Sequence, residues 1–495
     1  MRRLLLSVWI LVCASVAWGQ GSPAAAPKVN QAAGASSAMV AKVNEPFTGD
    51  FDGMVKRRMI RVLTPYSMTG YFVHRGTPRG IVYDAFKLFE TDLNRKLKTG
   101  HLKVHVFVIP TSMGKLAQSL LEGKGDIVAT GALVTQQRLE QMDFTNPIRS
   151  NVSEVIVTGP GGPEIASLQD LSGKMLYATR AWAYWKDMED LNAKFVKEGK
   201  PPLKLMEAPS DLSTEDLLEM VNAGIVPATP AHDYVATFWA QVLLKLKVNR
   251  TAAVKTGGQI AWAIRKGSPQ LKAELNAFIA KYPEGSATRN NLLATYLKNL
   301  KFAKEATSSQ GRMRLENLRA LFQKYGDKYG MDYLLMAAQG YQESQLNQAA
   351  KSPVGAIGVM QVMPATGKEL KVGDISNEEP NIHAGIKYMR FMMDQYYGKE
   401  PNMTPLNKGL FTFASYNAGP GRVATLRKQT AARGLDPNVR FNSVEVLAAE
   451  KIGPETVTYV SNIYKYYLGY KLIMEQRDAL QKAREEVKQN ASGRQ

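Results

Sequence analysis

The spacing of apolar residues divides the chain into a first region of alternating strands and helices and a second region of helices alone. MIRVLTP, from Met59, predicts a strand, and Val82, Phe86, Phe89 and Leu93 follow at helical spacing. KVHVFVIP, MGKLAQSLLEGK and DIVATGA continue the alternation as strand, helix and strand. This alternation predicts α/β units with parallel strands.

Two later apolar runs, EVIVTGP and QIAWAIRKG, are expected to carry the chain between two lobes if the region is bilobed. Residues 301–312 are polar and predict a linker. After them Leu315, Leu318, Phe322 and Tyr325 form the first stripe of a helical region. From Gln476 onward the chain is charged and weakly apolar, which predicts a frayed helix or a loose tail.

The first residues resemble an export signal. MRRLLLSVWILVCASVAWGQ places two arginines before an apolar run that ends in small residues, which predicts a secretory signal peptide cleaved after Gly19. A retained membrane anchor is disfavoured, because the run is shorter than the roughly 20 residues of a spanning helix. Residues 20–55 are rich in Ala, Gly, Ser and Pro and predict a flexible leader, so folded structure is expected to begin near Lys56.

Composition limits the classes of partner that the protein is expected to bind. At 495 residues, two or three domains are expected, and the net charge of +19 favours anionic partners. For an exported protein these are the carboxylate-rich cell wall and an anionic membrane surface; nucleic acid is not expected. Cys13, the only cysteine, lies in the signal, and lipidation there is disfavoured because the bulky Val12 precedes it. No HExxH motif or cysteine pair is present, so neither a metal site nor a cofactor is expected.

An ordered set of segments marks the first region. These segments are RGIVYDAFKLFETDL, EGKGDIVATGALVTQQRLEQMDFTNPI, SLQDLSGKMLYATRAWAYW and PATPAHDYV. From residue 57 to about 298 the chain resembles the family-3 extracellular solute-binding proteins, which are periplasmic amino-acid receptors. The resemblance implies a bilobed α/β fold in which Arg138 clamps a ligand carboxylate and Asp233 meets the ligand amine. A surface arginine and a helix cap remain the alternatives for these two residues.

A second set of segments marks the helical region. YQESQLNQAAKSPVGAIGVMQVMPATG begins at Tyr341, NIHAGIKYM at Asn381, ASYNAGPGRV at Ala414 and ETVTYV at Glu455. These segments resemble the soluble-type lytic transglycosylases, which have a mostly α-helical, goose-lysozyme-like fold. The resemblance implies cleavage of the bond between N-acetylmuramic acid and N-acetylglucosamine in peptidoglycan glycan strands. It also implies one catalytic acid/base, Glu343, and a 1,6-anhydro product formed without water.

The local sequence suits that role for Glu343. MDYLLMAAQGYQES predicts a helix whose last turn holds this residue. The negative end of the helix dipole and burial would both raise its pKa, which keeps an acid protonated for proton donation. Ordinary glycosidases pair two carboxylates. No second acidic residue lies between Glu343 and Thr366, although Glu455 and more distant acids remain candidates in space.

The resemblance also implies residues that line the glycan groove or its network. They are Ser344, Ser352, Gln361, Met363, Tyr416, Asn417 and Glu455. Ser344 could equally orient Glu343 or simply finish the helix. The glycines of these segments are better explained as turns than as binding residues.

The resulting prediction is a multidomain chain. Its parts are a signal peptide at 1–19, a leader at 20–55, a solute-binding-like domain at 56–300, a linker at 301–312, a catalytic domain at 313–475 and a charged tail at 476–495. This domain order resembles that of lytic transglycosylases attached to the periplasmic face of the outer membrane, and the resemblance implies a periplasmic location with peripheral attachment to the outer membrane of a Gram-negative bacterium. The first domain is hypothesised to sense a wall-derived amino acid or peptide, such as a muropeptide stem, and to alter access to Glu343. A transport-type binding protein with a non-catalytic wall-binding domain, and a water-using lysozyme, are the alternatives.

Overall fold

The structure is a computed structural model that describes residues 41–67, 69–74, 77–297 and 309–492. The predicted signal peptide, residues 20–40 of the predicted leader and residues 301–308 of the predicted linker lie outside these residues.

The first lobe is built on a five-stranded sheet of order β4-β1-β5-β12-β6, in which β1 is parallel to β4 and β5, and β12 is antiparallel to β5 and β6. The parallel strands confirm the α/β prediction for this lobe. Phe86, Phe89 and Leu93 of α2 pack against Ile60 and Val62 of β1, as their helical spacing predicts. The elements are α1 Phe51–Lys56, β1 Met59–Thr64, β2 Phe72–His74, β3 Thr77–Arg79, α2 Ile81–Lys96, β4 His105–Pro110, α3 Leu116–Leu121, β5 Ile127–Val128, α4 Gln136–Gln141, β6 Asp143–Phe144, β12 Ala263–Ile264, α8 Pro269–Lys281 and α9 Ala287–Leu297.

The second lobe has an antiparallel sheet of order β10-β7-β11 and a parallel pair of β8 and β9. The runs EVIVTGP and QIAWAIRKG were predicted to carry the chain between the lobes. Strand β7 leaves the first lobe and β11 returns to it, so these neighbours run in opposite directions. The outward crossing precedes the predicted run EVIVTGP, whereas the return falls within QIAWAIRKG. The elements are β7 Arg149–Thr158, β8 Met175–Ala178, α5 Ala183–Lys197, β9 Lys204–Glu207, α6 Thr214–Asn222, β10 Ala228–His232, α7 Asp233–Trp239 and β11 Lys247–Ile260.

The segment before α1 packs on the first lobe. Arg61 is fully buried, and its guanidinium donates to the carbonyl oxygens of Val43 at 3.0 Å and Glu45 at 2.8 Å. The same group pairs with buried Asp126 at 3.0 Å. A buried arginine needs these partners, because an unpaired charge there would be costly. Folded structure therefore begins ahead of Lys56, where the sequence analysis placed its start.

The second domain consists of helices around a core of buried apolar residues. Its long last helix includes the residues for which the sequence predicted a frayed helix or a loose tail. Ala483 and Val487 of that helix are buried against the second lobe, and this packing explains why the helix continues to Ser492. The helices are α10 Ser309–Tyr329, α11 Tyr333–Ser344, α12 Pro364–Leu370, α13 Glu378–Tyr397, α14 Pro405–Ala418, α15 Pro420–Ala432, α16 Glu445–Lys451 and α17 Pro454–Ser492.

The helical domain also contacts the first lobe. The Phe107 ring meets the edge of Tyr464 of α17, with ring centroids 5.7 Å apart. Lys465 pairs with Glu90 of α2 at 2.6 Å. None of the helices in the described part of the chain is both long and apolar enough to cross a membrane.

Candidate active site

Glu343 lies in the last turn of α11, as the apolar pattern predicts. The helix begins after Asp332, whose carboxylate accepts a hydrogen bond from the Leu334 amide at 2.9 Å. It ends at Ser344, and Gln345 then takes a left-handed conformation with φ of 56°. This position puts Glu343 at the carboxyl end of the helix, where the helix dipole disfavours negative charge.

The carboxyl group of Glu343 has one defined hydrogen-bond donor. The Tyr459 hydroxyl of α17 donates to its Oε1 atom, and the Gln339 amide in turn donates to the Tyr459 oxygen at 3.5 Å. Burial raises the pKa of Glu343 to about 8, although the Tyr459 hydrogen bond opposes part of that rise. Among the described residues no second carboxylate contributes to this shift. Glu343 is therefore largely protonated at neutral pH.

Three of the predicted groove residues fold the loop that follows Glu343. The Ser344 hydroxyl donates to the Val359 carbonyl oxygen at 2.8 Å, which ties the helix end to the loop. The Ser352 hydroxyl accepts from the Ala356 amide at 2.9 Å. The Gln361 side-chain amide donates to the Gly358 carbonyl oxygen at 2.8 Å. These polar groups shape the loop through contacts within the protein.

Asn381 of α13 holds the same loop, a role that the sequence analysis did not assign. Its side chain accepts from the Met360 amide at 2.8 Å and donates to the Ile357 carbonyl oxygen at 2.8 Å. Gly358 has φ of 82°, and a Cβ atom there would lie 2.3 Å from the Asn381 amide nitrogen. Only glycine fits this close approach.

Tyr416 and Asn417, at the end of α14, lie beside the loop and α17. The Tyr416 hydroxyl donates to the Met360 carbonyl oxygen at 2.9 Å. The side-chain oxygen of Asn417 accepts from the Thr456 hydroxyl at 2.7 Å, whereas its buried side-chain nitrogen has no partner among the described residues. An amide nitrogen is a hydrogen-bond donor, so among the described residues this donor is left without an acceptor. Met363 is half-buried at the start of α12.

Glu455 lies in the first turn of α17 with its side chain exposed. Tyr459, four residues later in the same ETVTYV segment, is the residue that contacts Glu343. The sequence analysis missed Tyr459. The available signal was its position one helical turn after Glu455, on the same helix face.

The first domain contains a cavity of about 280 Å³ between its lobes. Arg138 lines it, but its guanidinium donates to the carbonyl oxygens of Leu133 at 2.8 Å and Ala181 at 3.2 Å. Asp233 begins α7 and accepts from the Ser153 amide at 3.4 Å. Asp233 is not one of the described residues that line this cavity. The two predicted ligand residues therefore do not form one site.

Comparison with known proteins matches both domains. The family model described as bacterial extracellular solute-binding proteins, family 3, matches residues 60–299, and the transglycosylase SLT domain matches residues 320–438. An ancestral arginine-binding protein solved with arginine is 20% identical, with a TM-score of 0.40; the alignment covers 48% of this chain and 98% of that one. The two matched domains together define a modular lytic transglycosylase with a solute-binding domain ahead of the catalytic domain.

Two relatives match over most of the chain. A membrane-bound lytic murein transglycosylase F from Desulfosudis oleivorans is 28% identical over 424 residues, which cover 82% of this chain and 89% of the relative. Its namesake from Serratia proteamaculans is 26% identical over 465 residues, which cover 89% of this chain and 90% of the relative. The chain is thus similar over most of its length to membrane-bound lytic murein transglycosylase F.

Proposed function

We propose that this protein cleaves the β-1,4 bond between N-acetylmuramic acid and N-acetylglucosamine in peptidoglycan, with Glu343 as its only acid/base, and leaves a 1,6-anhydro sugar. The observation that supports this proposal is a carboxyl group with a pKa of about 8 and no second carboxylate contributing to that shift among the described residues. An acid that is protonated near neutral pH is suited to donate a proton to a leaving oxygen.

The proton then returns to the same residue. Tyr459 donates to Oε1 of Glu343, so Oε2 carries the exchangeable proton. Glu343 protonates the bridging oxygen as the bond to C1 of the muramoyl sugar breaks, and the sugar's N-acetyl group stabilises the positive centre. The Glu343 carboxylate next takes the proton of the C6 hydroxyl as that oxygen bonds to C1. Water is not consumed, and the Tyr459 hydrogen bond stabilises the carboxylate between the two steps.

The groove residues have two kinds of proposed role. Ser344, Ser352 and Gln361 use polar groups to hold the loop, so they shape the groove beside Glu343. Asn417 has a free amide donor for an acetamido or hydroxyl oxygen of the glycan. For Tyr416, Met363 and the exposed Glu455 we propose contact with the sugar chain.

The test is mass analysis of the products released from purified sacculi. Cleavage to anhydro ends gives muropeptides lighter by one water than hydrolysis gives. Glu343→Gln should release neither product, and Glu369→Gln, an exposed acid on α12, should match the parent. Release of anhydro products by Glu343→Gln at the parental rate would refute the proposal.

We also propose a periplasmic location with peripheral attachment to the outer membrane, as the basic charge of +19 and the relatives' name suggest. Salt or alkaline washing of isolated outer membranes should release the protein. Retention after both washes would instead indicate an integral or lipid-linked attachment.

The first domain is proposed to bind a wall-derived amino acid or peptide and to alter access to Glu343. Helix α17 provides a physical route between the two sites. Near its start Tyr459 contacts Glu343, and Lys465 then pairs with Glu90 of the first lobe. Near its end Arg484 pairs with Asp216, and with Glu219 at 2.7 Å, both in the second lobe.

A change in lobe position would therefore act on α17 at two places. Arg138 of the first lobe donates to a carbonyl oxygen of the second lobe, so the lobes are in contact in this structure. A ligand that favours one lobe arrangement biases the helix and, through Tyr459, the carboxyl group. Calorimetric titration of the full chain with muropeptide stems, followed by lytic assays with and without the binder, tests this. The absence of binding heat with every stem tested would refute ligand binding by the first domain.

A further inference from the structure

One end of the second lobe carries a group of exposed lysines. Strands β8 and β9 are parallel and both begin at this end, where Met175 pairs with Lys204. Helix α5 connects the two strands, so its last turn reaches the same end. The Lys204 amide donates to the Lys174 carbonyl oxygen at 2.7 Å, which makes these two residues neighbours. The exposed lysines of this group are Lys174, Lys194, Lys197, Lys200 and Lys204.

The loop that precedes β11 lies at the same end of the lobe. Thr158, the last residue of β7, pairs with Ala228 at the start of β10 and with Lys247 at the start of β11. The side-chain oxygen of Asn222, the last residue of α6, accepts from the Lys245 amide at 3.0 Å. The loop therefore adds Lys245 and Lys247, which are both exposed.

The two groups of lysines form one surface. The one-turn 3-10 helix Leu168–Leu171 lies between β7 and β8 in the chain and contacts β11. Its Gln169 side chain accepts a hydrogen bond from Lys200 at 2.5 Å. We call this surface the basic end of the second lobe, and it consists of residues 161–174, 194–204, 222–228 and 241–247.

Positive charge is in excess on the basic end. It contains seven lysines and three acidic residues. Glu164 pairs with Lys247, and Glu198 pairs with Lys200 at 2.9 Å. The Asp170 carboxylate accepts from backbone amides of its own turn. The other lysines favour an anionic partner, because the field of a charged face raises the local concentration of opposite charges.

The basic end also carries the two most exposed large apolar side chains among the described residues. Leu244 is 81% exposed and Val196 is 63% exposed. A single exposed apolar side chain is ordinary on a protein surface. Here two of them lie at one end of one lobe, Leu244 next to Lys245 and Val196 next to Lys197. This combination suits a lipid surface, where lysines keep their charge among the headgroups and apolar side chains reach the acyl boundary.

We propose that the basic end of the second lobe is the surface by which this protein lies on an anionic phospholipid bilayer, with Leu244 and Val196 inserted at the headgroup boundary. The proposal rests on the peripheral membrane attachment proposed above and names the surface that makes it. A glycan partner fits this surface less well. Ligand sites are usually concave and lined by apolar and aromatic side chains, whereas the one aromatic residue of the basic end, Phe195, is fully buried.

Flotation with lipid vesicles tests the role of the lysines, with the full chain lacking its predicted signal peptide. The parent should float with vesicles of phosphatidylethanolamine and phosphatidylglycerol and should stay in solution with vesicles of phosphatidylcholine alone. Added salt should weaken binding, because exposed charges are screened. Replacing Lys174, Lys197 and Lys204 together by Gln should lower binding roughly tenfold to hundredfold, because each basic residue near an anionic membrane contributes about fivefold. The matched control replaces three exposed lysines of the catalytic domain by Gln and should bind as the parent does; these are Lys399, Lys428 and Lys451.

Leu244 tests the apolar contribution. Leu244→Gln should lower vesicle binding about tenfold, because the apolar side chain no longer gains from leaving water. Leu435→Gln, at an exposed apolar position of the catalytic domain, is the control. Cys13, the only cysteine, lies in the predicted signal peptide, so Leu244→Cys provides a single labelling site. An environment-sensitive fluorophore attached there should shift its emission to the blue on anionic vesicles, whereas the same label on Leu435→Cys should not.

The outcomes distinguish two failures. Circular dichroism and parental turnover of sacculi without lipid verify that each variant is folded. If the parent floats and both the triple lysine variant and Leu244→Gln float equally well, this inference alone is overturned and another surface makes the attachment. If the parent does not bind anionic vesicles, peripheral attachment to lipid falls, and this inference falls with it. Loss of binding to sacculi in the triple variant, with vesicle binding unchanged, would also overturn the inference, because the basic end would then bind the wall.

Discussion

The two domains each contain a carboxylic acid whose pKa is raised by burial, and the two acids lie in different surroundings. Burial alone raises the pKa of Glu343 to about 8, and its carboxyl group receives a hydrogen bond from Tyr459. The pKa of Glu154 of β7, in the first domain, is raised by burial and by the carboxyl group of Asp187 of α5, with which Glu154 shares a hydrogen bond. The first arrangement stabilises the carboxylate that remains after a proton leaves, whereas the second keeps a proton between two acids. Similar acidity therefore supports different chemistry.

Removing the carboxyl group of Glu343 gives the largest expected effect. Glu343→Gln should lower lytic activity by about 10²- to 10⁴-fold, the usual contribution of a general acid. Ligand binding to the first domain should not change. Turnover of purified sacculi, measured beside Glu369→Gln, provides the comparison. Activity within a few fold of the parent would show that Glu343 is not the acid.

Tyr459→Phe tests the hydrogen bond that Tyr459 donates to Glu343, which distinguishes this acid from Glu154. Because Tyr459 lowers the pKa of Glu343, its loss should raise that pKa further. Glu343 acts as the protonated acid, so the fall in activity at high pH should move to still higher pH. The maximal rate should drop roughly tenfold, because a hydrogen bond to a charged group is lost. An unchanged pH profile would contradict the assigned role.

Gly358→Ala tests whether Glu343 depends on the shape of its loop. The added Cβ atom would meet Asn381, and alanine would be strained at a φ of 82°. We expect a loss of about 1–3 kcal/mol in stability and a reduced lytic rate. Chemical denaturation followed by circular dichroism measures the first effect. Parental stability would mean that the loop adjusts without cost.

Arg484→Gln should give the smallest effect on basal turnover, within about twofold of the parent, because Arg484 is far along α17 from Glu343 and pairs with residues of the second lobe. This variant should instead affect the coupling between ligand binding and catalysis. The ligand of the first domain should bind with parental affinity but should no longer change the lytic rate. Lys488→Gln, an exposed residue on the same helix, is the control. Retained coupling would exclude Arg484 from the route.

The sequence predicted some of these features and could not predict others. The apolar pattern before Glu343 was sufficient to place it in the last turn of a helix, and that position gave the direction of its pKa shift. The helical register placed Tyr459 one turn after Glu455, but its contact with Glu343 forms only when α17 returns to α11. Glu154 was equally hidden, because its cavity depends on how β7 pairs with β10 and β11.

The first and last described segments show the same limit of prediction from local sequence. The segment around Val43 has a leader-like composition, yet buried Arg61 needs its carbonyl oxygens. The charged residues after Gln476 have a weak apolar period, yet Ala483 and Val487 match a surface of the second lobe. In both cases partners distant in sequence decide the structure, and local patterns do not show them.

The most direct test of the central claim, that Glu343 works without a second carboxylate and without water, is digestion of purified sacculi in water enriched in heavy oxygen. If the muramoyl C6 oxygen closes onto C1, the released sugar ends will carry no label, and Glu343→Gln will release none of them. Label at C1 of the released muramic acid ends would show hydrolysis and contradict the account.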